Sequence, residues 1–217
     1  MCTFASMQST RLSIHSILTA LDLDAACLPL LEEAPAHDEL LRAHTPDAIY
    51  TAIRTIGDLL NAPQKADQLI ENLEERINII IHKLKFIADE NKPRVLFLDD
   101  VSPARVNRNV YLETIARISG GIPVDTSSEP TTAEVIVVVS EQPMPQILTA
   151  LPTLLAAPEW SEVMAVKNGN VYIIHHPDHL RQPGALIADD IEIMAEILHQ
   201  KQFIFGRDED AWMKFES

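Results

Sequence analysis

A chain of 217 residues, 47% hydrophobic and 23% charged, is long enough to bury a sizeable core as one large domain or two small ones. Its formal net charge of −15 argues against a nucleic-acid partner, because a phosphate backbone needs a basic face; it suits a solvated surface or a basic protein partner. No apolar run approaches the ~18 residues of a membrane-spanning helix, and Cys2 and Cys27 form neither a CxxC redox motif nor a zinc pattern.

The opening MCTFASMQSTRL has no basic region followed by an apolar core, so no signal peptide is expected, and Cys2 lacks the apolar and small residues that precede a lipidated cysteine. Ser6–Leu21 predicts an amphipathic helix carrying Leu12, Ile14, Ile17, Leu18 and Leu21 on one face. Ala26–Leu31 predicts a short strand, and the polar, proline-bearing Glu32–His44 a loop. Thr45–Ala88 then holds two helical patterns meeting at Asn61-Ala62-Pro63. Thr45 caps the first, with Pro46 at its first position. The second carries Ala66, Leu69, Leu73, Ile77, Ile80, Ile81, Leu84 and Ile87 at three- and four-residue steps. At 1.5 Å per residue it would run roughly 35–40 Å, long for a globular helix.

Asn91-Lys92-Pro93 breaks that helix. Arg94–Asp99 (RVLFLD) and Glu134–Val139 (EVIVVV) are continuous apolar runs of strand length, the pattern of strands buried on both faces of a parallel sheet. Between them a polar loop leads to a helix over Tyr111–Ser119, closed by Gly120-Gly121, and a short strand over Ile122–Asp125. A helix near Gln146–Ala157, a helical turn at Pro158–Trp160, a strand over Val171–His175 and a helix over Ala185–His199 complete the order, with an aromatic tail packing back on the body. This alternation predicts an α/β fold with a mainly parallel sheet flanked by helices. Ligands in such sheets bind outside the carboxyl ends of the strands, here the loops Asp99–Arg105, Ser140–Pro145 and His175–Pro183.

Three constellations could carry chemistry or contacts. Asp99-Asp100 after a buried strand superficially suits phosphoryl transfer or a receiver-like signalling domain. Adjacent aspartates point to opposite sides of a strand, however, and no lysine ends a later strand. His175, His176, Asp178 and His179 are metal-ligating residue types, and a metal-dependent enzyme using His175, His176 and His179 is the alternative reading. No GxSxG, P-loop, GxGxxG or HExxH is present, so no enzyme is expected. Finally Pro158–Glu162 with Asp189, Asp190, Glu192 and Glu196 reads as surface carboxylates able to dock on arginines.

The stretches IYTAIRTIGDLLNAPQKADQLIENLEERI, KPRVLFLD, YLETIARISGG, AEVIVVVSEQP, LLAAPEWSEVMAVKNGNVYIIH and RQPGALIADDIEIMAEILH together resemble the helical-backbone substrate-binding proteins of ABC importers, the group that includes cobalamin and ferric-siderophore receptors. The resemblance runs from about Tyr50 to the end. It implies two α/β lobes bridged by one long helix, with ligand held in the cleft and no cofactor of the protein's own, since the chelate brings its cobalt or iron. It implies ligand contacts from Asp99, Asp100, Ser102, Ser140, Glu141, Gln142, His176, His179 and Arg181, with Arg181 meeting an anionic group and His179 an axial or direct contact. Glu159 and Glu162 would dock on the membrane permease, which works with an ATPase subunit. The family is periplasmic or anchored outside the cytoplasmic membrane. The front departs from the pattern: residues 1–44 suffice for the last helix and strand of a first lobe, 45–90 form the backbone helices and 91–217 the C-terminal lobe. The expectation is a truncated or single-lobe monomer, with self-association through the apolar stripe that the missing lobe would leave bare.

Overall fold

Prolines start most of the helices in this chain, and they set its first half. In the computed structural model, which describes residues 13–32, 34–124 and 132–216, helix α1 covers 13–20 and a 3-10 turn follows at Ala25–Cys27. Next come α2 (Leu28–Glu32), α3 (Pro35–Leu41), α4 (Pro46–Leu59) and α5 (Pro63–Leu84). The chain divides into two compact units, Met1–Ile79 with Arg181–Asp190, and Ile80–Leu180 with Ile191–Ser217. One boundary falls inside α5.

The first unit is helical. Thr45 Oγ1 accepts from the Ala48 amide with Pro46 at the first position of α4, the expected cap. Ile14, Ile17, Leu18, Leu21, Leu31, Leu40, Ile49, Ile53, Ile56 and Leu73 are fully or almost fully buried. Helices α4 and α5 cross where Gly57 meets Ala66: a Cβ on Gly57 would lie 2.5 Å from the Ala66 Cβ, so only glycine permits this approach. Three expectations are corrected here. The strand at Ala26–Leu31 is a turn and helix, because Asp24 caps Ala26 by accepting from its amide and Pro29 falls in a first helical turn, where its missing N–H is harmless. The loop at Glu32–His44 contains α3, started by Pro35 in the same way. The Ser6–Leu21 helix is present from residue 13; its beginning lies outside the described residues.

Helix α5 has 22 residues, about 33 Å, and ends at Leu84, short of Ala88. Ala88 is extended and opens a 3-10 turn over Asp89–Asn91. The buried stripe is Ala66, Ile70, Leu73, Ile77, Ile80 and Leu84; Ile81 is exposed, and Leu69 and Ile87 are only half-buried. Most of the stripe expected to be bare is therefore covered, while Ile81 is not.

The second unit is built on a six-stranded sheet: β1 (Arg94–Val101), β2 (Ala104–Val106), β3 (Ile122–Pro123), β4 (Val135–Val138), β5 (Val171–Ile174) and β6 (Trp212–Lys214), in the order β2-β1-β4-β5-β6 with β3 beside the start of β1. The pairs of β1 with β3 and β4, and of β4 with β5, are parallel; the edge pairs β1–β2 and β5–β6 are antiparallel. The continuous apolar runs are buried on both faces, as read from sequence. One face carries Leu96, Leu98, Ile136, Val138 and Ile173 against α7 (Met144–Ala156), α8 (Pro158–Ser161) and α9 (Met164–Lys167), represented by Ile147, Leu151, Trp160 and Ala165. Over Val95 on the other face sit α6 (Val110–Ile118), closed at Gly120, and Leu198 of α10 (Ile187–Leu198). Strands β2 and β6 replace an expected loop and part of the tail; the end of the Ile122–Asp125 strand lies outside the described residues.

Candidate functional site

The carboxyl ends of β1, β4 and β5 supply three loops, which lie in the second unit as far as Leu180. In the first, a bulge between Leu98 and Asp100 turns β1 into the β1–β2 hairpin. Asp99 Oδ1 accepts from Arg105 Nε at 2.8 Å, and this ion pair raises the Arg105 guanidinium further above its ordinary value, with Asp100 adding. Asp100 Oδ1 accepts from the Ser102 amide at 2.9 Å, an Asx turn that fixes the hairpin end and leaves the Ser102 side chain on the surface.

In the second loop Ser140 is buried and its Oγ accepts from the Gln142 amide at 3.1 Å. Glu141 is exposed. Gln142 Oε1 is buried and has no hydrogen-bond partner among the described residues. An orphaned acceptor of this kind costs about 1–3 kcal/mol. A hollow of about 510 Å³ opens beside it, lined by Ser102, Gln142, Pro145, Gln146, Thr149 and Ala150. The structure thus brings Ser102 and Gln142 together across two strand ends. Gln146 and Thr149, on the first turns of α7, went unnoticed in the sequence, although a helix starting at a strand's carboxyl end always turns residues toward that end.

In the third loop the His175 and His176 amides both donate to the Ala211 carbonyl, at 3.0 and 3.3 Å. His176 Nδ1 accepts from the Asp178 amide at 3.3 Å, so the neutral ring carries its proton on Nε2. The rings of His176 and His179 lie 4.7 Å apart and tilted, with His179 buried and His175 exposed. Among the described residues no group of three His, Cys, Asp or Glu could hold a metal ion, so the metal-enzyme alternative lacks a ligand set. Arg181 opens the segment that packs into the first unit, where Ala185 donates to Ser16 Oγ and Arg76 pairs with Asp189 at 3.0 Å.

The acidic constellation is corrected. Asp190, Glu192 and Glu196 are buried, and Asp189 is held by Arg76. Glu192 pairs with Arg207 at 2.9 Å. Glu196 accepts from the amides of Phe205, Gly206 and Arg207 and from Trp212 Nε1. Glu192 and Glu196 hold the tail, Asp189 holds α5, and none of the four forms a solvated docking face. Glu159 and Glu162 do lie exposed, Glu162 beside Lys167 at 2.6 Å.

A larger hollow, about 590 Å³, lies at the opposite, amino ends of the strands, among Lys92, Glu134, Asn170, Tyr172, His199 and Gln200. The carboxyl-end hollow is the better candidate. Ligands of parallel sheets bind at that end, and Ser102 and Gln142 from two strand-end loops line it.

No family model matches the chain. It is 25% identical over 166 residues to the "Uncharacterized ABC transporter substrate-binding lipoprotein YvrC" of Bacillus subtilis (strain 168), covering 71% of this chain and 51% of that protein. The chain therefore spans about half the length of that curated relative. Among solved structures it is similar to an ABC transporter substrate-binding protein from Listeria monocytogenes EGD-e, with a TM-score of 0.69 at 15% identity over 88% of this chain and 96% of that one. It is also similar to S. aureus IsdE complexed with heme, TM-score 0.66 at 15% identity over 88% and 97%. A third neighbour is a periplasmic heme binding protein from Pseudomonas aeruginosa, TM-score 0.63 at 14% identity over 88% and 91%. These likenesses show the fold, and the proteins named are binding proteins, not enzymes.

Proposed function

We propose that this chain, which has the fold of ABC-transporter substrate-binding proteins, is the substrate-binding component of an importer for a metal chelate such as a corrinoid or a ferric siderophore. The match to a protein named as a substrate-binding lipoprotein carries the reading, and the metal-chelate class is favoured by neighbours named for heme and iron. The mechanism is capture without bond chemistry. Side chains on rigidly held strand-end loops meet the chelate, which brings its own metal, and the loaded protein passes it to a permease driven by an ATPase. Ser102, Ser140 and Gln142 with Asp99, Asp100 and Glu141 would form the contacts of the first two loops, His176 and His179 those of the third, and Arg181 an anion contact. The exposed Glu159 and Glu162 are the permease-docking carboxylates, and the working place is the outer face of the cytoplasmic membrane. In this reading residues 45–90 are the family's backbone helices and 91–217 its C-terminal lobe.

The test is titration of the 217-residue chain with cyanocobalamin, a ferric hydroxamate and heme, following ligand absorbance and the fluorescence of the buried Trp160 and Trp212. Saturable binding of one chelate supports the reading. Failure of every chelate, both with this chain and with a version extended upstream, refutes it.

A further inference from the structure

We infer that the amino end of the sheet in the α/β unit is a docking surface for an anionic lipid bilayer, with Phe86 and Ile204 entering the interface and Lys83, Lys85 and Lys201 meeting the headgroups. The inference stands apart from the substrate-binding reading.

Phe86 and Ile204 are 92% and 85% exposed, the most exposed large apolar side chains among the described residues. They are far apart in sequence and close in the structure. Lys83 Nζ stands 5.4 Å from the centre of the Phe203 ring, which sets the last turn of α5 against the segment that follows α10. Phe203 is buried and stacks on Phe205 at 5.8 Å, so the backbone is anchored on either side of Ile204. Residues 90–93 and 197–202 wall the amino-end hollow of about 590 Å³. Phe86 lies four residues before the first wall and Ile204 two after the second. Single exposed apolar residues are ordinary, but the two barest ones flanking one polar hollow mark a contact surface.

The charge beside them is opposite in sign to that of the whole chain, which is −15. Lys83, Lys85 and Lys201 are exposed, and no ion pair among the described residues engages them. Against them stand Glu90, which is exposed, and Asp89, which Lys92 holds. Asp208, Glu209 and Asp210 lead away to Ala211, whose carbonyl accepts from the His175 amide at the other end of β5. Screening confines electrostatics to about 8 Å at physiological salt, so an approaching surface meets these lysines and little of the remote negative charge. Interfacial binding grows with the apolar area inserted and with attraction to anionic headgroups, and this end of the unit supplies both. A second copy docked face to face would set the same lysines against one another, so the charge favours lipid.

The test is sedimentation of the full chain with phosphatidylglycerol vesicles and with phosphatidylcholine vesicles of equal size, at ~0.1 M salt. Binding to phosphatidylglycerol is expected to be at least about tenfold tighter. Lys85→Gln with Lys201→Gln is expected to weaken it by about tenfold or more, at about fivefold for each lysine. Phe86→Ser with Ile204→Ser is expected to weaken it by about tenfold through lost apolar insertion. All four positions are exposed, so both double variants are expected to melt with the wild type. In Phe86→Trp the new indole is expected to shift its emission to the blue and to be quenched by brominated lipid, over the background of the buried Trp160 and Trp212. No vesicle binding, or equal binding to both lipids, overturns the inference. Binding that both double variants leave intact, or a Phe86→Trp indole untouched by brominated lipid, overturns it as well. Dimerisation without lipid that Phe86→Ser with Ile204→Ser abolishes would make a second copy the occupant and overturn the lipid assignment. Chelate titration reads none of these outcomes, so failure here leaves the substrate-binding reading standing.

Discussion

Replacing Glu196 tests a heavily bonded side chain of the α/β unit. Its carboxylate is 5% exposed, with Oε1 accepting from the amides of Phe205 and Gly206 at 2.7 and 2.9 Å and Oε2 from the Arg207 amide and Trp212 Nε1 at 3.0 and 3.2 Å. A hydrogen bond to a charged group contributes about 1.5–3 kcal/mol. Four sharing one carboxylate do not add fully, and the loop can open to water, so Glu196→Ala is expected to lose about 3–5 kcal/mol. Glu196→Gln keeps one oxygen but sets an NH2 against two donors, and is expected to lose about 2–3 kcal/mol. Urea unfolding read by tryptophan fluorescence would move its midpoint down by about 1–2 M for the alanine variant. Hydrogen exchange of the 205–207 amides would accelerate before the sheet opens. The damage would also reach the site, because the loop held by Glu196 leads to Ala211, whose carbonyl receives the His175 and His176 amides. Unfolding free energies within about 1 kcal/mol of wild type, with unchanged exchange at 205–207, would refute the reasoning.

Gly57→Ala forces a Cβ to 2.5 Å from that of Ala66 and is expected to destabilise by about 1–3 kcal/mol, measured by chemical denaturation. Arg76→Ala removes from the largely buried Asp189 a guanidinium whose two nitrogens reach the carboxylate at 3.0 and 3.4 Å. A loss of about 1–3 kcal/mol is expected, and Arg76→Lys should recover only part of it, lacking the fork. His199 is buried and held neutral, its pKa lowered by burial against an opposing hydrogen bond to the Gly120 carbonyl. The unfolded chain then binds more protons below about pH 6.5. Stability should therefore fall as pH drops through that value and level off below the depressed folded pKa. His199→Gln should flatten this part of the thermal-melting profile.

Where residues act through their own neighbours in sequence, the fold was legible. The apolar runs of β1, β4 and β5 and the Thr45-Pro46 start of α4 needed nothing remote. Pro29 and Pro35 misled because proline breaks a helix interior yet starts a helix well, and only packing decides which. Strands β2 and β6 have three residues each and are edge strands, too short to show alternation. The acidic residues of α10 read as solvated because their spacing is that of an exposed face. Their partners, Arg76, Arg207 and Trp212, stand elsewhere in the chain, and no local rule connects them. In the candidate site, loop positions after buried strands were readable. The orphaned oxygen of Gln142 was not, because lacking a partner is a property of the surroundings and not of the residue.

The site separates support from contact. The first loop is closed by Asp100 to the Ser102 amide and by Asp99 to Arg105, the second by Ser140 to the Gln142 amide, and the third by the Ala211 carbonyl. These bonds end on backbone or on one another, so the side chains of Ser102 and Gln146 are not needed to hold the loops. The double variant Ser102→Ala, Gln146→Ala is then expected to unfold within about 0.5 kcal/mol of wild type while chelate affinity falls. Ser140→Ala, which removes a buried bond closing a loop, is expected to lose about 1–2 kcal/mol and to weaken binding as well. Calorimetric melting and chelate titration on the same samples separate the two effects. A double variant as unstable as Ser140→Ala would mean that the lining itself braces the loops. The hollow would then be a packing defect of the scaffold, not a surface kept open for a ligand.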